Sequence, residues 1–279
     1  MMWHRTMAWV VAGACGVSGT LSACGTQWAY DNADTLIAGK ADGYFDMTAE
    51  QERWVAASLE RHHAWHRAEA LPAYVEALSE IRTRSADGVD DADMAFILGA
   101  LDRHADVLAR QLLDDSVAFL GKLGPEQVTR FEKKLREGLK DAREKLDVSA
   151  SERLDDRVDW TVDLLEEWVG SLSDAQEAQI RKDVAALPDA EPERLRERAE
   201  HDEGIIALIK AGDAGAIRGA LTRWLIDPPL GPSPENRAAV QELVVRFDKT
   251  LDAKQRKHLL DKLQEWIDLF QKLHDQKAT

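Results

Sequence analysis

Apolar residues return every three or four positions along almost the whole chain. Outside residues 25–46 no segment keeps the strict alternation of a half-buried strand. In 48–70 the larger side chains at that spacing are Trp54, Leu59, His62, Trp65 and His66. In 91–120 they are Met94, Ile97, Leu98, Leu101, Ala105, Leu108, Leu112 and Phe119, with Gly121 following. Residues 151–169 carry Leu154, Val158, Val162, Leu165 and Val169, and 252–274 carry Leu259, Leu260, Leu263, Trp266, Ile267 and Phe270. Prolines fall where helices begin or break: Pro72 and Pro125 near starts, Pro188 and Pro192 in a connection, Pro228, Pro229, Pro232 and Pro234 in one loop. The expected fold is an all-α, multi-helix array, and average helix lengths put it at about eight to ten helices.

One helix-start pattern recurs. Met47-Thr-Ala-Glu-Gln51, Leu123-Gly-Pro-Glu-Gln127, Leu172-Ser-Asp-Ala-Gln176 and Leu251-Asp-Ala-Lys-Gln255 each place an apolar residue, a capping position, two further residues and a glutamine. Thr48, Ser173 and Asp252 can accept from the first free amides, and the glutamine reaches back to the cap's own N–H. Gly124 has no capping side chain, but Pro125 is preset for the first helical position. The first two boxes start 76 residues apart (47 to 123) and the last two 79 apart (172 to 251). This spacing suggests two related helical halves, 47–150 and 151–279.

The N-terminus gives an address. Arg5 is followed by the apolar run Met7-Ala-Trp-Val-Val-Ala-Gly-Ala14 and then small residues, a signal-peptide pattern too short to span a bilayer as a helix. It ends in Leu21-Ser22-Ala23-Cys24, similar to the lipobox of bacterial lipoproteins, which implies cleavage after residue 23 and acylation of Cys24. The competing readings are an ordinary secretory signal with a chance cysteine, and lipid attachment at Cys15. Two acyl chains and an N-acyl group hold a membrane durably where one chain does not. Gly25, rather than the Asp that typically retains lipoproteins in the inner membrane, implies the periplasmic face of the outer membrane. Residues 1–23 are then the signal peptide. Residues 24–46, with Trp28, Tyr30, Leu36, Ile37, Tyr44 and Phe45, are a lipidated tether, packed on the body as a short helix or strap or with its aromatics inserted in the lipid interface.

Composition narrows the function. Fifty-one acidic against 36 basic residues give a net charge of −15, unsuited to neutralising nucleic-acid phosphates, so no nucleic-acid partner is expected. Two cysteines make neither a zinc ribbon nor a disulfide scaffold. No nucleophile elbow, phosphate loop or dinucleotide fingerprint occurs, and neither an enzyme nor a cofactor is expected. His62, His63 and His66 are weak metal candidates: helical spacing can bring two imidazoles together, with Glu60 or Glu69 as a third ligand. Trp65, His66, Arg67 and Tyr74 form a candidate binding surface, set against a reading in which Trp65, Leu71 and Tyr74 are core at a helical corner and Arg67 bonds helix-end carbonyls. Asp87-Gly-Val-Asp-Asp-Ala-Asp93 lacks the ligand order of a calcium loop and reads as a turn with Asp90 or Asp91 as cap. Acids from Glu152 to Glu167 lie opposite the Leu/Val stripe of their helix, as a solvated face or a docking face for a basic partner.

Two resemblances follow from these motifs. The paired boxes, closest at Leu172–Arg181 and Leu123–Phe131, resemble the LTxxQ motifs of Spy/CpxP-type periplasmic proteins, helical hairpins that dimerise into a cradle for unfolded clients or sense envelope stress. The Spy cradle is basic, whereas this chain is acidic. More of the chain resembles an uncharacterised family of proteobacterial lipoproteins, through the lipobox, Tyr30-Asp-Asn-Ala-Asp34, Tyr44-Phe-Asp-Met-Thr-Ala-Glu-Gln51 and Trp65-His-Arg-Ala-Glu-Ala-Leu-Pro-Ala-Tyr74. The expectation is a membrane-anchored periplasmic protein that binds an envelope protein partner, chaperone-like or stress-related. The alternatives are a structural lipoprotein with one dedicated partner and, last, a metal-dependent enzyme.

Overall fold

The computed structural model describes residues 23–226 and 234–276; most of the signal-peptide segment and the prolines at 228, 229 and 232 lie outside them. The described chain is all helical: α1 (Ala23–Asp31), α2 (Ala33–Phe45), α3 (Ala49–Trp65), a π-helical turn (His66–Ala70), α4 (Leu71–Arg84), α5 (Asp91–Leu120), α6 (Pro125–Leu146), α7 (Ala150–Val169), α8 (Asp174–Ala186), α9 (Glu191–Ala211), α10 (Ala214–Leu225), α11 (Pro234–Asp248) and α12 (Ala253–Asp275). The twelve α-helices among the described residues exceed the eight to ten expected. Part of the excess is the segment 24–46, which forms two helices joined at Asn32.

Helix starts follow the caps. Thr48, Asp90, Ser149, Ser173 and Asp252 each accept from the backbone three residues on, in reciprocal boxes with Gln51, Asp93, Glu152, Gln176 and Gln255. Gly124 takes its place by backbone alone, with Pro125 first in α6. Gly170 ends α7 at φ +80°, which brings the chain round into the third box.

The main core joins distant segments. Phe45, Val55, Leu113, Val117, Phe119, Val128 and Phe131 pack with Ile205, Ile206, Ile209, Ile217 and Leu221, because α9 lies on α6 and α10 on α5. A second cluster gathers Val158, Val169, Ile180, Val184, Leu243 and Phe247 from α7, α8 and α11, with Leu259 of α12 against it. A third sets Tyr30 and Leu71 against Leu269 and Leu273, since α4 lies along α12.

The packing carries an internal correspondence. α2 packs on α3 and α6 as α7 packs on α8 and α12, and each set contains one pair of boxes. The helix following each first pair is exchanged: α4 lies on α12, and α9 lies on α6. Each half therefore completes its packing with a helix from the other.

Candidate functional site

Four glutamines, one per box, meet in two pairs. Gln51 Nε2 donates to Gln127 Oε1 at 3.0 Å and Gln127 Nε2 returns the bond to Gln51 Oε1 at 2.7 Å. Gln176 and Gln255 do the same at 3.0 Å each way. Each Oε1 also accepts the N–H of its own cap residue: Thr48 at 2.9 Å, Gly124 at 3.0 Å, Ser173 at 2.9 Å and Asp252 at 3.2 Å. The remaining amide hydrogen goes to the carbonyl just before the partner box, at Lys122, Asp46, Thr250 and Ser171 respectively. Two donors and two lone pairs are thus used in every amide, leaving none for a ligand. The boxes are clasps that fix two helix starts to each other.

The histidines part company. His62 Nε2 bonds Asp115 Oδ2 at 3.0 Å, and the same oxygen accepts from Ser58 and from Arg61 at 2.9 Å, tying α3 to α5. Burial pushes the Asp115 carboxyl up, but the bonds from Ser58 and His62 and the Arg61 charge outweigh it and hold it below its ordinary value. Ser58 donates to the carboxylate and not to the imidazole, so these residues lack the order of a nucleophile and its base.

His66 turns the other way, into the body. It is 3% exposed, and its Nδ1 shares a hydrogen bond with the Tyr30 hydroxyl at 3.1 Å. His63 meets the Tyr30 ring edge-on at 4.7 Å between centroids, and Tyr74 stands between His66 at 5.5 Å, His104 at 4.9 Å and Phe270 at 5.9 Å. Burial, then the charges of His63 and Arg67, push His66 down to about 4, so the ring is neutral near pH 7. Burial also lowers His63 and His104, raises the Tyr30 phenol above its ordinary value and pushes Tyr74 up to about 12. The Nε2 atoms of His63 and His66 are buried without a hydrogen-bond partner. No group of three or more His, Cys, Asp or Glu among the described residues is placed to hold a metal.

The π turn sets this up. The N–H of Leu71 bonds the carbonyl of His66, five residues back, and the following residue is Pro72. A regular helix would press the proline ring against the carbonyl four residues earlier, and the wider turn relieves that clash. Trp65 bonds Glu69 along the helix at 3.2 Å. Arg67 joins α1 to the end of α12: Nη1 donates to the Gln276 carbonyl at 3.1 Å, Nη2 lies 3.7 Å from Asp31, and its guanidinium carbon sits 5.4 Å from the centre of the Tyr30 ring. In return His274 Nδ1 donates to the Arg67 carbonyl at 2.9 Å, and Lys272 reaches Gln27 at 2.7 Å. Of the proposed binding surface, His66 is therefore interior, Tyr74 is half-buried beside Phe270, and Arg67 bonds a helix-end carbonyl. The segments around Tyr30 and Trp65-His-Arg67, separate motifs in the sequence, form one contact in the structure. Asp115, the partner of His62, carried no sequence signal beyond its place on an amphipathic helix.

These features define an all-α protein in which four helix starts are pinned in two pairs by capping glutamines and α1 is locked to the end of α12 through one arginine. The chain belongs to a family of unknown function, DUF6279, whose pattern it matches over residues 43–237. No curated protein and no solved structure matches it.

Proposed function

We propose that this protein is an outer-membrane-anchored periplasmic lipoprotein that acts by binding other proteins, chaperone-like or in envelope stress, rather than by catalysis. The observation that carries the reading is the docking of α1. It begins at Ala23 and Cys24, directly after Leu21-Ser22, and is fastened to the body through Tyr30, Asp31 and Arg67. A diacyl group on Cys24 would hold the whole body against the bilayer, where a flexible linker would leave it free to wander. The four boxes support kinship with the LTxxQ proteins. Since their glutamines are saturated internally, clients bind elsewhere on the surface. Metabolic labelling with palmitate tests the anchor: label lost in Cys24→Ser and retained in Cys15→Ser is the expected result, and label independent of Cys24 overturns it. Suppression of aggregation by unlipidated protein tests the chaperone arm, which fails if excess protein has no effect.

A dedicated partner is favoured by one surface. On α7, Trp160 and Leu164 are exposed one turn apart, among exposed Asp156, Asp159, Asp163 and Glu167. That face suits a basic amphipathic segment. Crosslinking from residue 160 in cells should then give one discrete adduct rather than a smear.

A further inference from the structure

The segment beside Cys24 has two faces of opposite character. Thr26, Ala29, Tyr30 and Ala33 are buried against the body. On the outer side, Trp28 is 61% exposed, more than any other large apolar side chain among the described residues, and Leu36 is 43% exposed. The hydrogen bonds from Asn32 N–H to the Trp28 carbonyl at 3.1 Å and from Leu36 N–H to the Asn32 carbonyl at 3.0 Å carry the helical path across the α1–α2 junction. Positions 28, 32, 36, 39 and 43 therefore form one outward stripe. It ends in Gly39 and Gly43, where an added Cβ would meet nothing within 4 Å.

We propose that this stripe lies flat on a lipid surface, with Trp28 and Leu36 seated at headgroup depth and the two glycines allowing close approach. Trp28 is held outward by a helix whose opposite face is fixed, so little ordering cost remains on insertion. The exposed residues of α1–α2 up to Gly43 carry only Asp31 and Lys40 as charges, and Asp31 already faces Arg67. In a chain of net charge −15, this is a surface that anionic headgroups would not repel. The occupant is a membrane rather than a second protein because of what precedes it: the lipobox that follows the apolar run Met7–Ala14 ends at Cys24, one helical turn before Trp28. Tryptophan with a nearby lysine is the composition of an interfacial anchor. The inference rests on the reading of Cys24 as the lipid site, and supplies the second contact that would fix the orientation of the body.

The test supplies the anchor chemically. Protein spanning residues 24–279 is coupled through Cys24, its one remaining cysteine, to maleimide-headgroup lipid in phosphatidylethanolamine–phosphatidylglycerol vesicles doped with brominated lipid. The expected result is bromine quenching of tryptophan emission, most of it lost in Trp28→Phe and weakened in Leu36→Asp, with thermal unfolding unchanged in both. Equal quenching in wild type and Trp28→Phe, or none in wild type, overturns the proposal. A protein adduct from a photocrosslinker at residue 36 in cells, with no lipid adduct, overturns it too. Palmitate labelling of the intact protein in cells is read separately: loss of the Cys24 anchor reading leaves the quenching result standing, and quenching can fail while labelling succeeds.

Discussion

At the scale of single residues, the clearest commitments are the saturated amides and the neutral imidazole. Gln255→Glu would replace the NH2 group and its two donors with one acceptor oxygen facing both Gln176 Oε1 and the Ser171 carbonyl, in a buried site. It should cost about 3 kcal/mol, read as a fall of about 10 °C in Tm. Gln51→Glu, at the more exposed clasp, should cost about half as much. His66 carries the pH dependence. Its pKa is about 4 in the folded chain and about 6.5 when unfolded, so between these values the unfolded state binds the extra proton. Stability is thus full above about pH 6.5 and falls as the pH drops toward 4, by about 3 kcal/mol for this group. His63 and His104 act in the same direction. Calorimetry from pH 7 to 4.5 should show this slope, and His66→Gln should lower stability at pH 7 while flattening it. The caps were legible in the sequence because Thr48, Ser173 and Asp252 act within four residues. The amide pairing was hinted at only by the spacing of 76 and 79, since a hydrogen bond across that distance leaves no local pattern.

Among the elements, the π turn, α1 and the last turn of α12 behave as one unit. Arg67→Ala should remove the bond to Gln276, the charge near Asp31 and the stacking on Tyr30 together. Hydrogen exchange should then accelerate in α1 and in the last turn of α12, while α6 keeps its protection. The helical periods placed α5, α7 and α12 to within a residue, because each carries a continuous apolar stripe with a cap at its start, while the window 48–70 found the start of α3 but ran five residues past Trp65, through the π turn. The expected corner at Pro72 is instead a widened turn inside a nearly continuous helix. Proline announces a defect in the ladder, but the choice between a break and a bulge belongs to packing, here of Leu71 against Leu269 and Leu273.

Over the whole molecule, the exchange of α4 and α9 decides how the chain can be cut. Residues 23–150 alone would expose the faces of α4 and α6 that α12 and α9 cover, and residues 151–279 would expose theirs in turn. Circular dichroism should find neither fragment cooperatively folded at 25 °C, with a cooperative melt restored on mixing. The two pairs of boxes were legible in the sequence. The interleaving of their helices was not, because amphipathic stripes specify that a face is covered without naming the helix that covers it. The order of synthesis gives this arrangement a further consequence. The seat around Leu71 is translated well before its partners Leu269 and Leu273, with all of α5 to α11 made in between. A chain threading out of the ribosome therefore cannot close that seat until α12 has emerged. Until then the apolar face of α4 around Leu71 stays uncovered, long after the residues beside it were made.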